Sequence, residues 1–339
     1  MQIIKCTLIL ILLSFISACS TPVNKDFLQN FNRDSQLADS KFSNHIVSIK
    51  YSNKEKILLV SHESGKIDIW NTNSTKQKQE IKAHKYSTDY LAFTSDEKSF
   101  FTSSVFENST KLWDTGSGEM LHKIRDMAGP VGSTPSDDVY VIANSSSRYV
   151  RLFDTNKKLL LAEKFACEGV IKSLATHATT GLIAIGTESG TIELWKYSEA
   201  KGVPSMDKVS SFKPYGLGDW VIGLKFSTDG KSLYSVTRFG SIDEWSSSTL
   251  KKSGSLSTGL KYVHSAAFSH DGNSLGLAGT EEKVGSGPGS VVVISLVTGS
   301  TKAFRVNTNL AVIEHLPSIF SYIAALNRSV GVFALPAER

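Results

Sequence analysis

The sequence predicts an all-β fold built from repeated four-stranded sheets. Two short motifs recur in phase along the chain, and their spacing matches the length of one such sheet. The chain has 339 residues, of which 40% are hydrophobic, and this is enough to bury a sizeable core. Repeats are considered first, because a regular period constrains the architecture more strongly than any single segment does.

The first motif is a small residue and a β-favouring run that ends in a large hydrophobic residue, most often Trp. Gly65–Trp70 and Gly190–Trp195 are full copies. Successive copies end 39 to 50 residues apart, close to the ~40–45 residues of one propeller blade. The residues that end the copies are Trp70, Trp113, Phe153, Trp195, Trp245, Ile294 and Phe333.

The second motif is an aromatic residue, a small polar residue and a turn that contains Asp or Gly. Phe226–Gly230 and Phe268–Gly272 both contain Asp-Gly, and weaker copies are Tyr51–Glu55 and Phe93–Glu97. Asp-Gly between two β-type runs predicts a hairpin, because both residues tolerate a positive φ. Each repeat is therefore predicted to hold a strand, this turn, a second strand, and a third strand that ends in the first motif.

Together the motifs resemble the WD40 family over residues 34–336, with Leu112-Trp113-Asp114 as the most faithful copy. The resemblance implies one β-propeller of about seven four-stranded blades. It also implies that residues 35–42 supply the outer strand that closes the last blade, which removes an open sheet edge. The residues that it assigns to the structural signature of the repeat are Trp70, Trp113, Asp114, Phe153, Trp195 and Trp245.

The repeats depart from the family in their polar residues. WD40 blades use a His before the first strand and an Asp six residues before the Trp, linked by hydrogen bonds. The second blade has His84, but Glu107 stands at the position of the Asp, and Ser64 and Ser189 stand there in the first and fourth blades. We therefore expect this network to be largely absent.

The N-terminus predicts a lipid anchor. A short positive region and the apolar run Thr7–Phe15 lead to Ile16-Ser17-Ala18-Cys19, which resembles the bacterial lipobox. The resemblance implies that residues 1–18 are removed and that Cys19 is acylated, since more than one acyl chain gives a stable anchor. Residues 19–33 then form a polar tether. Ser20, where Asp would retain a lipoprotein in the inner membrane, favours the periplasmic side of the outer membrane.

Neither the composition nor any motif indicates a nucleic-acid interface, a metal site or a catalytic site. The net charge of +5 comes without a Lys/Arg-rich block, so no nucleic-acid partner is expected. The eight His residues show no metal-ligand spacing, and no catalytic or phosphate-binding motif occurs. We predict no catalytic residue, no metal and no cofactor. In the mature chain Cys167 would be the sole cysteine, which predicts a buried, unreactive thiol.

The resemblance places the loops before the first strand, and between the second and third strands, at one rim. These loops hold aromatic residues and Arg, the types that dominate binding hot spots. For Trp220 an inward packing position stays open, and for Phe106 burial is favoured. The predicted partner-binding residues are Tyr86, Arg148, Tyr215, Trp220, Arg238 and Tyr262.

The prediction for function is a monomeric, membrane-anchored scaffold of the bacterial cell envelope, which binds partner proteins through the rim. The alternatives are a propeller that captures a small ligand or glycan in its axial pocket, and a quinone- or metal-dependent propeller enzyme. An enzyme of that kind requires a cluster of His, Asp, Glu or Lys around the axis, and no sequence pattern indicates one.

Overall fold

The computed structural model describes residues 45–74, 76–161, 165–282, 289–306, 312–316, 321–326 and 329–334. Their strands form sheets in which consecutive strands pair antiparallel. The predicted signal peptide, Cys19, the tether and the proposed closing strand at residues 35–42 lie outside the described residues. Most of the Gly-rich run at residues 285–289 also lies outside the described residues.

Each of the first three blades is formed by consecutive strands. In the third blade two short segments, β12 and β13, both pair with β11 and together take the place of the fourth strand. The strands are β1 (Ile46–Ser52), β2 (Ile57–His62), β3 (Lys66–Asn71), β4 (Lys76–Lys82), β5 (Tyr90–Phe93), β6 (Ser99–Ser104), β7 (Ser109–Asp114), β8 (Met120–Arg125), β9 (Val131–Ser133), β10 (Val139–Asn144), β11 (Tyr149–Asp154), β12 (Leu159–Leu160) and β13 (Phe165–Ala166).

Three further four-stranded blades follow, and a sheet of three strands comes last. The strands are β14 (Ile171–His177), β15 (Leu182–Thr187), β16 (Ile192–Ala200), β17 (Val203–Phe212), β18 (Val221–Phe226), β19 (Ser232–Thr237), β20 (Ser241–Ser246), β21 (Lys252–Ser257), β22 (Tyr262–Phe268), β23 (Ser274–Thr280), β24 (Gly289–Ser295), β25 (Thr301–Val306), β26 (Ile313–Leu316), β27 (Ser321–Leu326) and β28 (Ser329–Ala334).

The all-β, single-propeller architecture is confirmed, but the prediction of about seven four-stranded blades is wrong. The described residues form six blades of four strands, and the last sheet, β26–β28, has three. The sequence period marks the third strand of each repeat, so it counts a three-stranded sheet in the same way as a complete blade. The fourth strand carries no motif, and its presence cannot be read from the period.

The first strands of the sheets surround a central channel. Each contacts the first strand of the next sheet, and β26 contacts both β22 and β1, so the ring is closed. A buried apolar cluster fills the space between each pair of neighbouring sheets. The second strands lie between two such clusters. They are buried on both faces, as in β2 and β10, and read as continuous apolar runs.

In the first six blades the large residue that ends the third strand packs against the preceding sheet. Trp113 packs against the first blade, Trp195 against the third and Trp245 against the fourth. Trp70 packs in the same way against the three-stranded sheet. The motif therefore recurs because a bulky side chain at this position fills the interface between neighbouring sheets.

The sequence predicted that the polar network of WD40 blades is largely absent, but the second blade contains it. His84, which is 1% exposed, has Nε2 2.8 Å from Thr102 Oγ1 and Nδ1 3.1 Å from Glu107 Oε2. Trp113 Nε1 donates to Thr102 Oγ1 at 2.9 Å. Glu107 therefore replaces Asp without loss of the network, because its longer side chain still reaches the ring of His84.

In other blades, different residues form the hydrogen bonds and ion pairs around the Trp. In the fourth blade, Glu193 is fully buried; it accepts a hydrogen bond from Trp195 Nε1 at 2.9 Å and pairs with Lys208 at 3.2 Å. In the fifth, Asp243 pairs with Lys252 at 2.6 Å. The carboxylate stands two residues before the Trp in both blades, so the position six residues before the Trp was not sufficient to predict these networks.

The close packing of the three-stranded sheet gives a stability test at Gly276. A Cβ at this position would overlap the buried ring of Tyr322, whose hydroxyl lies 2.8 Å from Ser274 Oγ. We expect Gly276→Ala to lower the free energy of unfolding by about 1–3 kcal/mol through overpacking, measured by urea denaturation. Gly216→Ala is the control, since no atom lies within 4 Å of its Cβ. Equal stability of the two variants would contradict this packing of β27 on the sixth blade.

His84 gives a pH-dependent stability test. The pKa of His84 is lowered to about 4, mainly by burial and also by the charge of Lys111, while Glu107 opposes the shift. Between an unfolded pKa of about 6.5 and the folded value, only the unfolded chain takes up this proton. The free energy of unfolding should therefore fall as the pH decreases through that window. His84→Gln should make this decline shallower, as followed by urea unfolding at pH 7, 6 and 5.

The control for the pH experiment is Thr102→Val. This variant removes the hydroxyl that contacts both His84 and Trp113 but keeps the titrating ring. It should lower stability at every pH while retaining a steeper pH dependence than His84→Gln. If wild type and His84→Gln show the same pH dependence, His84 is not held neutral by the fold.

Candidate functional site

One rim of the ring is formed by the loops before each first strand and between each second and third strand. Trp220 immediately precedes β18, Arg238 and Phe239 connect β19 to β20, and Tyr262 begins β22. Backbone hydrogen bonds join these segments: Arg238 N donates to Trp220 O at 2.9 Å, and Val263 N donates to Arg238 O at 2.7 Å. The fifth and sixth blades are thereby connected at the rim.

The side chains of Trp220, Arg238 and Tyr262 form what we call the aromatic–arginine cluster. The guanidinium carbon of Arg238 lies 4.1 Å from the ring centre of Trp220 and 4.6 Å from that of Tyr262. Lys172 adds a second cation, with Nζ 4.3 Å from the ring centre of Trp220. Trp220 is half-buried between two cations, so it is neither a core residue nor a free surface residue.

Arg238 brings to the cluster a positive charge that forms no ion pair among the described residues. Its Nε is buried and has no hydrogen-bond partner among them. Of the carboxylates at this rim, Glu188 pairs with Lys172 at 3.4 Å, and Asp219 Oδ1 accepts a hydrogen bond from Phe239 N at 3.0 Å. The two rings order the guanidinium without neutralising it.

Exposed apolar side chains lie next to the cluster. Phe239 is 50% exposed, with its ring centre 6.5 Å from that of Tyr262. Leu217, in the loop before Trp220, is 88% exposed. His264 lies 4.8 Å from the ring of Tyr262, and its pKa is lowered by burial and by Arg238. Lys172 and His264 lie within first strands, so the composition of the loops did not predict them.

Two other predicted positions lie on the same rim but apart from the cluster. On the second blade, Tyr86 is 46% exposed and lies 6.4 Å from Phe106, which is 78% exposed. The favoured burial of Phe106 is therefore wrong. Arg148, in the third blade, is exposed and has a positive φ of 58°. Its carbonyl accepts a hydrogen bond from Cys167 N at 2.8 Å.

Tyr215 was predicted to belong to the partner-binding surface, but the structure places it inside the fifth blade. It is 9% exposed, and its hydroxyl lies 2.6 Å from Ser235 Oγ and donates to Asp243 Oδ2 at 2.8 Å. Trp245 Nε1 also donates to Ser235 Oγ. Tyr215 thus occupies the role that His84 has in the second blade. A Tyr before a first strand looks like a rim aromatic in sequence, and only its distant partners show that it is internal.

The described residues contain neither a reactive thiol nor a cluster of metal-ligating side chains. Cys167 is buried, and burial together with Glu193 raises the pKa of its thiol to about 12, so it is not a nucleophile near neutral pH. Among the described residues, no group of three or more His, Cys, Asp or Glu side chains is placed to hold a metal ion. The described part of the chain also contains no helix long and apolar enough to cross a membrane.

Comparison with known proteins supports the fold. No family model matches the sequence. Over 224 residues, 64% of this chain, the sequence is 25% identical to human apoptotic protease-activating factor 1, of which the match spans 17%. The crystal structure of the Cps50 (Swd1) β-propeller domain of Myceliophteria thermophila aligns with a TM-score of 0.71. That alignment covers 87% of this chain and 97% of the domain, at 13% identity. The chain is a single WD40-like β-propeller.

Proposed function

We propose that this protein is a membrane-anchored interaction scaffold that binds partner proteins through the rim of its propeller. The observation that carries the proposal is the aromatic–arginine cluster, in which one guanidinium is stacked between Trp220 and Tyr262. Trp, Tyr and Arg are the residue types that contribute most to protein–protein binding energy. The propeller fold is compatible with such a role but does not specify it.

The geometry favours a partner segment with a carboxylate beside an apolar side chain. A carboxylate would pair with Arg238, which forms no ion pair within the described part of the chain. The neighbouring Phe239 and Leu217 offer exposed apolar surface. Because stacking already orders Arg238, its pairing costs little side-chain entropy, and a planar guanidinium suits bidentate carboxylate contacts.

The binding proposal is tested with a photo-crosslinking amino acid at Phe239 in native membranes. A crosslinked partner should form, and Arg238→Ala or Trp220→Ala should reduce its yield, because loss of a hot spot costs at least about 2 kcal/mol of binding. Arg238→Lys should give an intermediate yield, since Lys keeps the charge but not the stacked plane. Crosslinks are quantified on gels, and melting temperatures are recorded for every variant.

Two controls separate binding from folding. A crosslinker at Asn156, an exposed residue in the connection between β11 and β12 at the opposite end of the ring, should not yield the same species. Tyr215→Phe removes a core hydroxyl and should lower the melting temperature without changing the Phe239 crosslink. If the crosslink persists in both Arg238→Ala and Trp220→Ala, or forms equally from Asn156, the rim is not the binding surface.

The proposed membrane attachment rests on Ile16-Ser17-Ala18-Cys19. Acyl chains on Cys19 would hold the propeller at a membrane of the bacterial cell envelope, and Ser20 supports the periplasmic side of the outer membrane. The polar residues that follow would separate the lipid from the domain, leaving the rim accessible to a partner.

The anchor is tested by metabolic labelling with a palmitate analogue. Cys19→Ala should abolish the label and release the protein from the membrane fraction, because the lipidated thiol is lost. Cys167→Ala serves as the matched control and should keep the label, since that thiol is buried in the propeller. Label retained in Cys19→Ala would exclude this site.

A further inference from the structure

The central channel contains a second candidate site, at the end opposite the rim. It encloses a cavity of about 530 Å³, lined by residues in the later part of the first strands and by the turns that follow them. Three lysines and two glutamates are among the lining residues: Lys50, Lys54, Lys225, Glu97 and Glu314. Such a volume is within the usual range for small-molecule sites, about 300–1,000 Å³.

Both glutamates in the cavity wall are already engaged. The ammonium of Lys50 lies 3.0 Å from each carboxylate oxygen of Glu314, an interaction that joins β1 to β26. Glu97 accepts hydrogen bonds from Ser52 Oγ and, at 2.8 Å, from Lys54 N. Of the three lysines, Lys50 is thus paired with Glu314, and Lys54 donates a hydrogen bond from its ammonium to the carbonyl of Ser95. One ammonium is left without a partner among the described residues.

Lys225 is that remaining cation. It projects from β18 on the other side of the channel, is half-buried, and takes part in no hydrogen bond or ion pair among the described residues. Burial and the charge of Lys50 lower its pKa, while Glu314 and Asp271 oppose the shift. A desolvated ammonium without a counter-ion is unfavourable, and an anion that entered the cavity would relieve it.

His315 also borders the cavity, but it is only 7% exposed and its Nδ1 is buried away from the channel surface. Its ring centre lies 5.1 Å from that of Tyr322 in an edge contact. The charged group that faces the cavity without a partner among the described residues is therefore the ammonium of Lys225.

We propose that the channel binds a small molecule through a phosphate or carboxylate group, with Lys225 as the main counter-charge. Charge-assisted hydrogen bonds to an oxyanion are the strongest polar contacts available to an ammonium group. The cavity is larger than a single phosphate ion requires, so the natural ligand would carry further atoms beyond the charged group. This proposal is independent of partner binding at the rim, because it uses different residues at the other end of the ring.

Inorganic phosphate and acetate are the probes, titrated separately into the full-length protein in detergent, with chloride at matched ionic strength as the reference. Calorimetry and melting temperature report binding, since a ligand that binds the folded state stabilises it. At least one probe should raise the melting temperature above the chloride reference. The two titrations show whether phosphate or carboxylate is preferred.

Lys225→Gln should weaken the response by about tenfold or more, the effect of losing one charge-assisted hydrogen bond. The variant should fold, because it removes a partly buried charge. Lys231→Gln is the matched control: its side chain is 85% exposed outside the channel, and it should respond as wild type does. Absence of any response beyond chloride, or a response unchanged in Lys225→Gln, would overturn the proposal.

Discussion

The packing of one bulky side chain per repeat against the preceding sheet is the contact on which the rest of the structure depends. A blade with two apolar faces cannot bury either of them alone, so each blade needs both neighbours and the ring must close. Alternation along β27 shows how closure is achieved. Tyr322 and Ala324 face the sixth blade, while Ile323 and Ala325 face the first. The described strands of the last sheet thus contact both of its neighbours.

Buried charge accompanies this packing, and its arrangement varies between blades. The fourth and fifth blades place an acid, Glu193 or Asp243, two residues before the Trp and pair it with a lysine on the fourth strand. The second blade reverses the signs: Lys111 stands two residues before Trp113 and pairs with Glu107 at 3.1 Å. In these three blades a charge at this position is paired, because an unpaired buried charge destabilises the fold. The sixth blade has the apolar Val292 there instead.

The two ends of the ring differ in chemistry because every first strand begins at the rim. Residues at the start of a first strand, such as Lys172, join the rim surface, whereas residues later in a strand, such as Lys225, line the channel. The rim offers ordered aromatic rings around a guanidinium, a surface suited to a protein segment. The channel offers a half-buried ammonium without an ion-pair partner among the described residues, which suits a small anion. One scaffold thus presents two chemically separate sites.

The sequence by itself determined the all-β repeat, the hairpin turns at Asp229-Gly230 and Asp271-Gly272, and the positions of the aromatic residues that end the third strands, because these depend on local backbone preference and a fixed period. Only the tertiary structure decided the number of strands in the last sheet and the roles of individual rim residues. Tyr215 and Tyr262 both lie near the start of a first strand. The hydroxyl of Tyr215 is hydrogen-bonded to Asp243 inside the fifth blade, whereas the ring of Tyr262 packs against Arg238. The partners that separate them are distant in sequence, and spacing carries no information about them.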